Sequence, residues 1–158
     1  MPFYTVTTSI LMNKVQKRDV IYGITELTIK LLNIAPDKIQ VTIHTSEKES
    51  LGRAGVTLDN ENFSEDSRLV QWEPKKSYYN DSSRSEDMVI IELDIWDSFN
   101  VEQKEILVKE INEFFIKKFN LSGDNILILV RDMIPSNWTQ NGIIGGKKEF
   151  LEKSRSYK

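Results

Sequence analysis

The chain is written twice. Residues 2–51 align on residues 89–138 at a constant offset of 87, without a gap and with 10 identities over the 50 positions. Asn13 pairs with Asn100, Gln16 with Gln103, Lys17 with Lys104, Asn33 with Asn120, Asp37 with Asp124 and Ile39 with Ile126. An ungapped match through strand, helix, turn and strand signals duplication of one supersecondary unit. The fold must therefore hold two copies of that unit.

Each copy carries one long helical pattern. In Asn13 to Asn33 the apolar residues Val20, Ile21, Ile24, Leu27, Leu31 and Leu32 recur three and four apart. In Asn100 to Asn120, Ile106, Leu107, Ile111, Phe114, Phe115 and Phe119 do the same. That spacing predicts a helix with one buried face, and the leading Asn is a good N-cap. Strands are expected on either side: Pro2 to Ile10 and Lys38 to Thr45, then Met88 to Trp96 and Asn125 to Arg131. A strand, a helix of this length and a strand imply a parallel pair with a right-handed crossover.

The expected fold is α+β: two tandem βαβ units, about 2–55 and 88–146, forming one four-stranded mixed sheet with two helices on one face, in a single domain spanning 1–158. Ile126-Leu127-Ile128-Leu129-Val130 is apolar on both sides, which predicts burial of both sheet faces. With no third layer in the chain, another subunit is the expected cover. The polar linker 56–87 is expected to be functional or partly disordered, with a short strand at Leu69 to Trp72. Residues 147–158 read as a short charged helix or a frayed tail.

Composition narrows the function. There is no cysteine and one histidine, His44, so thiolate and multi-histidine metal sites are excluded and no cofactor is expected. Net charge is −3 with no basic block, which argues against nucleic acid as a partner. No apolar run is long enough to span a bilayer, and no signal peptide is visible. A cytoplasmic location away from membranes is expected.

Pro2 follows the start methionine. A proline lacks the amide N–H and is tolerated at a strand's first position. Methionine is usually trimmed before a small residue, and trimming here would leave Pro2 as a free secondary amine. Pro2 is thus either an ordinary strand start or a catalytic base.

Met-Pro at the start, the βαβ repeat, and a Gly-rich hairpin after the second strand of the unit together resemble the tautomerase superfamily, typified by 4-oxalocrotonate tautomerase. The hairpin signal is Asn137-Trp138 followed by Gly142-Ile143-Ile144-Gly145-Gly146, with a weaker copy at Leu51-Gly52-Arg53-Ala54-Gly55. The double length is similar to cis-3-chloroacrylic acid dehalogenase and malonate semialdehyde decarboxylase, which form trimers. The resemblance implies a homotrimer acting on a small organic acid, with Pro2 as general base. Only the first unit carries the proline; Val89 takes its place in the second. It also implies an isomerase that moves a proton in a small unsaturated 2-oxo or 2-hydroxy acid. Hydration, dehalogenation or decarboxylation is the alternative, as is a non-catalytic trimer.

The chain departs from the family at its arginines. Met12 and Gln40 stand where the founding member has them, Asp97, Ser98 and Phe99 where the dehalogenase and decarboxylase do, and Thr28 where dehalogenase-like members have a histidine. Asp132 matches an acidic residue that activates water in the dehalogenase, although it could also simply begin a turn. The candidate site residues are therefore Pro2 and Asp132 as catalytic groups, with Arg53, Arg131, Gln40 and Trp138 as substrate ligands. An arginine at a strand end is more often salt-bridged than a ligand clamp. His44 is expected to be structural.

Overall fold

The computed structural model describes residues 1–79 and 83–156 of the chain. Local capping sets the helix limits. Helix α1 spans Lys14–Leu32 and helix α3 spans Val101–Phe119. In each, the Asn side chain before the helix accepts from the third backbone N–H, and the Gln at that position reaches back to the Asn backbone. This reciprocal box satisfies two donors that a helix start leaves free. Each helix ends on an Asn in the left-handed region, Asn33 at φ 52° and Asn120 at φ 51°, where Asn is tolerated.

In chain order, strand β1 spans Pro2–Thr8, and α1 is followed by β2 at Gln40–Thr45. The first half continues with β3 at Gly52–Arg53, β4 at Val56–Thr57 and the short helix α2 at Phe63–Asp66. A hairpin of β5 (Leu69–Gln71) and β6 (Lys76–Ser77) links the halves. The second half has β7 at Val89–Trp96, then α3, β8 at Ile126–Met133, β9 at Thr139–Gln140, β10 at Ile143–Ile144 and helix α4 at Phe150–Lys153. The main sheet runs β2-β1-β7-β8. Within each half the strands are parallel, and β1 pairs antiparallel with β7 where the halves meet.

Both helices cover one face of this mixed sheet. Tyr4, Val6, Ile91, Leu93 and Ile95 from the central strands are fully buried against Val20 and Ile24 of α1 and Leu107, Ile111 and Phe115 of α3. The buried stripe is narrower than the apolar pattern suggests. Ile21 and Ile106, expected within it, are 41% and 46% exposed, because each lies about 100° around the helix from its buried neighbour. Thr28 joins the stripe instead. Its hydroxyl donates to the Ile24 carbonyl at 2.7 Å and accepts from the Tyr4 hydroxyl at 2.8 Å, so the buried polar pair is satisfied. The opposite sheet face carries Phe3, Thr5, Thr7, Glu92, Asp94, Leu127, Leu129 and Arg131, and neither long helix covers it.

The 87-residue correspondence runs further than residues 51 and 138. β3 and β4 correspond to β9 and β10, and α2 to α4, residue for residue. Gly55 matches Gly142, Phe63 matches Phe150, Ser67 matches Ser154 and Arg68 matches Arg155. Each half docks this segment onto the other half's turn. Arg68 makes a two-pronged pair with Asp124, at 2.7 and 3.0 Å. Arg155 does the same to Asp37, at 2.7 and 2.9 Å.

The two clasps differ in burial. Arg68 is 4% exposed and also binds Glu86 at 2.8 Å; Arg155 is 43% exposed. Burial alone would raise the Asp124 pKa, but hydrogen bonds from Arg68, Ser122 and Tyr78 outweigh it and hold the carboxyl down to about 2. Removing one partner of a buried pair leaves an uncompensated charge, whereas an exposed pair contributes little. Asp124→Ala is therefore expected to cost about 3 kcal/mol, and Arg155→Ala, which breaks the exposed pair and leaves Asp37 beside Lys38, less than about 1 kcal/mol. Urea denaturation midpoints of the two variants measure this, and equal losses would contradict it.

Candidate active site

Pro2 opens β1 on the helix-covered side of the sheet and is buried. Register places it opposite Ile95, and Ile95 opposite Asp132. Pro2, Ile95 and Asp132 thus form one row across three strands, with Pro2 and Asp132 about 10 Å apart by strand spacing. The Asp132 side chain is 54% exposed and ion-paired with Lys104 of α3. One step beyond the row, Met1 falls opposite Trp96. Met1 is 6% exposed, and burial lowers the pKa of its terminal amine from 8.0 to about 6.

The carboxyl-terminal segment closes over this end. Trp96 packs against Phe150 of α4, with ring centroids 5.8 Å apart and planes tilted by 48°. Gly145 makes room for the indole: a Cβ there would lie 2.9 Å from Trp96 Cζ2 and 2.4 Å from the Pro135 carbonyl. The indole Nε1 is buried and, among the described residues, meets no acceptor. Lys38, 2% exposed, donates from Nζ to Gln140 at 3.0 Å and Ser154 at 2.7 Å. It also lies 3.6 Å from Asp37 and 5.4 Å from the Phe150 ring centroid. Lys38 therefore ties the turn before β2 to the segment that covers Trp96.

The other candidates are dispersed. Trp138 is half-buried, and its carbonyl accepts from the Gly145 N–H at 2.7 Å, closing the hairpin that carries Gln140. Gln40 is exposed on the edge strand opposite Phe3, in the row Gln40, Phe3, Asp94, Arg131 on the uncovered face. Arg131 spans that face to Asp94, at 2.7 and 3.1 Å, and to Glu92 at 3.1 Å. His44 is exposed opposite Thr7. Arg53 lies at the far end of the sheet, in a cleft of about 280 Å³ beside Met88 and Asn125. There it donates to the Ser67 carbonyl at 2.9 Å and the Asp124 carbonyl at 2.7 Å.

Pro2 and Asp132 share a row, Trp138 braces the adjoining hairpin, and Arg53 and Arg131 are engaged by acidic or carbonyl partners elsewhere. Sequence reasoning passed over Lys38, Trp96 and Lys104. Lys38 had one signal, its alignment with Asn125, which occupies the matching buried position. Trp96 had none until the β1–β7 register was known.

The lowered amine pKa has a consequence for the Met1-bearing chain. The unfolded terminus binds its proton near pH 8 and the folded one only near pH 6. Between these values the unfolded state holds more protons, so stability is full above pH 8 and falls as pH drops to 6. Melting temperatures across this window should fall toward acid for Met1-bearing protein, and N-terminal acetylation should flatten that slope.

Two family models described as tautomerase enzyme match the chain, one over residues 13–60 and one over residues 66–140. No curated protein matches it. Among solved structures, N1 of the cis-3-chloroacrylic acid dehalogenase family superposes with a TM-score of 0.70 at 17% identity, covering 95% of this chain and 88% of that one. FG41 malonate semialdehyde decarboxylase, inhibited by 3-bromopropiolate, gives 0.62 at 13% identity, covering 99% of both chains. A wild-type fused 4-OT, W0, described as a symmetric trimer, gives 0.64 at 17% identity, covering 98% of this chain and 99% of that one. At these identities the likeness is one of fold, and it extends over both halves. With a tautomerase model matched in each half, the chain belongs to the tautomerase superfamily as a double-length member.

Proposed function

We propose that this chain is a cofactor-independent tautomerase, active once Met1 is removed, with Pro2 as general base toward a small unsaturated 2-oxo or 2-hydroxy acid. The observation that carries the reading is the burial of the amino terminus at the head of β1. A general base works best with a pKa near the working pH. Burial disfavours the ammonium form and moves an amine in that direction, as it does for the Met1 amine at this position.

The proton balance is simple. The neutral Pro2 amine takes the 2-hydroxyl proton of a dienol as the C2 carbonyl forms. The electron pair moves along the conjugated chain, and a distant carbon takes the proton back from the prolinium. The amine is restored. An amide nitrogen cannot do this, so Met1 must leave first.

Self-association belongs to the same reading. The uncovered sheet face exposes Leu127 by 50% and Leu129 by 43%, and the solved fused 4-OT relatives are trimers. A homotrimer would cover that face. No helix among the described residues is long and apolar enough to cross a membrane, and we place the enzyme in the cytoplasm.

Intact mass of protein made with a native amino terminus tests the reading first. A mass short by one methionine is expected. Pro2→Ala should then lower kcat/KM for ketonisation of phenylenolpyruvate or 2-hydroxymuconate by about 100-fold or more. One solved relative is described as inactivated by 2-oxo-3-pentynoate; the same alkynone should label Pro2 here. Retained Met1 with no turnover sinks the proposal and leaves a non-catalytic trimer.

The shared row of Pro2 and Asp132 favours a second reading, hydration or dehalogenation of an acrylate-like acid with Asp132 positioning water. Asp132→Asn would then lower hydration at least tenfold and leave ketonisation within twofold. An equal effect on both reactions would remove the water-positioning role.

A further inference from the structure

We infer that the indole N–H of Trp96 is the hydrogen-bond donor that holds the carboxylate or 2-oxo group of the substrate, in a slot beside Pro2 that Met1 fills until it is removed. The inference rests on the general-base reading of Pro2.

Trp96 Nε1 can only donate. It is buried without an acceptor among the described residues, and an unmade hydrogen bond of this kind costs stability. Such an orphan calls for an explanation, and position supplies one. The β1–β7 register runs Thr8 to Val89 through Pro2 to Ile95, and one further step sets Met1 across from Trp96. Excising Met1 therefore opens space next to the indole and frees the amine in a single event.

The duplication shows that this end was built differently. At the Met88 end, the position matching Trp96 is Ser9, whose hydroxyl donates to Asp87 at 2.7 Å and accepts from the Met88 N–H at 3.1 Å. The position matching Gly145 is Leu58, which packs with Met88, Leu51 and Phe63 in a closed apolar cluster. The Pro2 end exchanges Ser and Leu for Trp and Gly. The large residue now lies across from the removable methionine, and the small one lets it in. A satisfied hydroxyl is replaced by an unsatisfied N–H.

The chemistry suits a small conjugated acid. The indole and the Phe150 ring, tilted against each other, offer aromatic walls, and the single N–H asks for one acceptor oxygen. Nearby cations are committed: Lys38 to Gln140 and Ser154, and Lys104 to Asp132. A neutral donor is the polar group left over at this end.

The test uses Met1-free protein, phenylpyruvate as the binding probe in calorimetry, and phenylenolpyruvate as the substrate. Trp96→Phe should weaken phenylpyruvate about tenfold, raise KM to match, keep kcat within threefold and leave the oligomer unchanged. In the wild type, the Trp96 indole N–H resonance should shift downfield on titration with phenylpyruvate, which needs no variant to fold. Unchanged affinity with an unmoved resonance overturns the inference. So does an oligomer that dissociates while affinity per folded chain holds, since the N–H would then serve a subunit contact. If 2-oxo-3-pentynoate fails to label Pro2, the general-base reading itself has failed. If it labels Pro2 but Trp96→Phe binds as the wild type does, only the Trp96 assignment falls.

Discussion

The antiparallel pairing of β1 with β7 is the constraint on which the rest depends. Each half is a parallel strand pair under a helix, and such a pair has no antiparallel partner of its own. Joining equivalent strands head to tail relates the halves by an approximate two-fold axis. The start of one half's first strand then lies beside the end of the other's. Reciprocal docking follows from this geometry. The segment carrying Phe63, Ser67 and Arg68 reaches the turn at Asp124, and the segment carrying Phe150, Ser154 and Arg155 reaches the turn at Asp37.

The axis is kept in the backbone and broken in the side chains. At the Met88 end a buried arginine, two carboxylates, Tyr78 and Arg53 form one connected network. At the Met1 end the matching arginine is exposed, and a lysine stands in place of Asn125. Buried charge that is fully paired fixes geometry, so the chain places its firmest clasp where no reaction is proposed. The proline end is held by fewer groups and contains the unsatisfied indole. Unmade bonds concentrate at sites whose partner arrives from outside.

Much of the fold was legible because its determinants are local. Asn13 with Gln16 and Asn100 with Gln103 are capping boxes separated by three residues, and both helices begin where they fall. The duplication was legible as far as residues 51 and 138, where long periodic elements carry it. Its continuation to Arg68 and Arg155 lies in two-residue strands and four-residue helices, too short to show a period. Pro2 was legible from its place behind Met1. The partners of Arg131 were not: Asp94 lies 37 residues away, and only register brings them together. Trp96 was hidden for the same reason, since its relation to Met1 exists only once the two halves pair.

A neutral donor in place of a guanidinium group, as proposed for Trp96, would alter the electrostatics of an amine base as well as of substrate binding. A cation near an amine lowers its pKa by repulsion, adding to the effect of burial. Where the donor is an indole N–H, burial acts alone in the free enzyme. A substrate carboxylate brought close to the amine would then favour the ammonium form, since the nearby lysines, Lys38 and Lys104, are already engaged by other groups. Under the proposed roles of Pro2 and Trp96, the complex would hold its proton more firmly than the free protein does. That would favour the first half of the cycle, when the amine takes the proton, at the expense of the second, when the prolinium must give it up to carbon. Such a site would suit substrates whose conjugated carbon takes up a proton readily better than those that offer only an unactivated carbon.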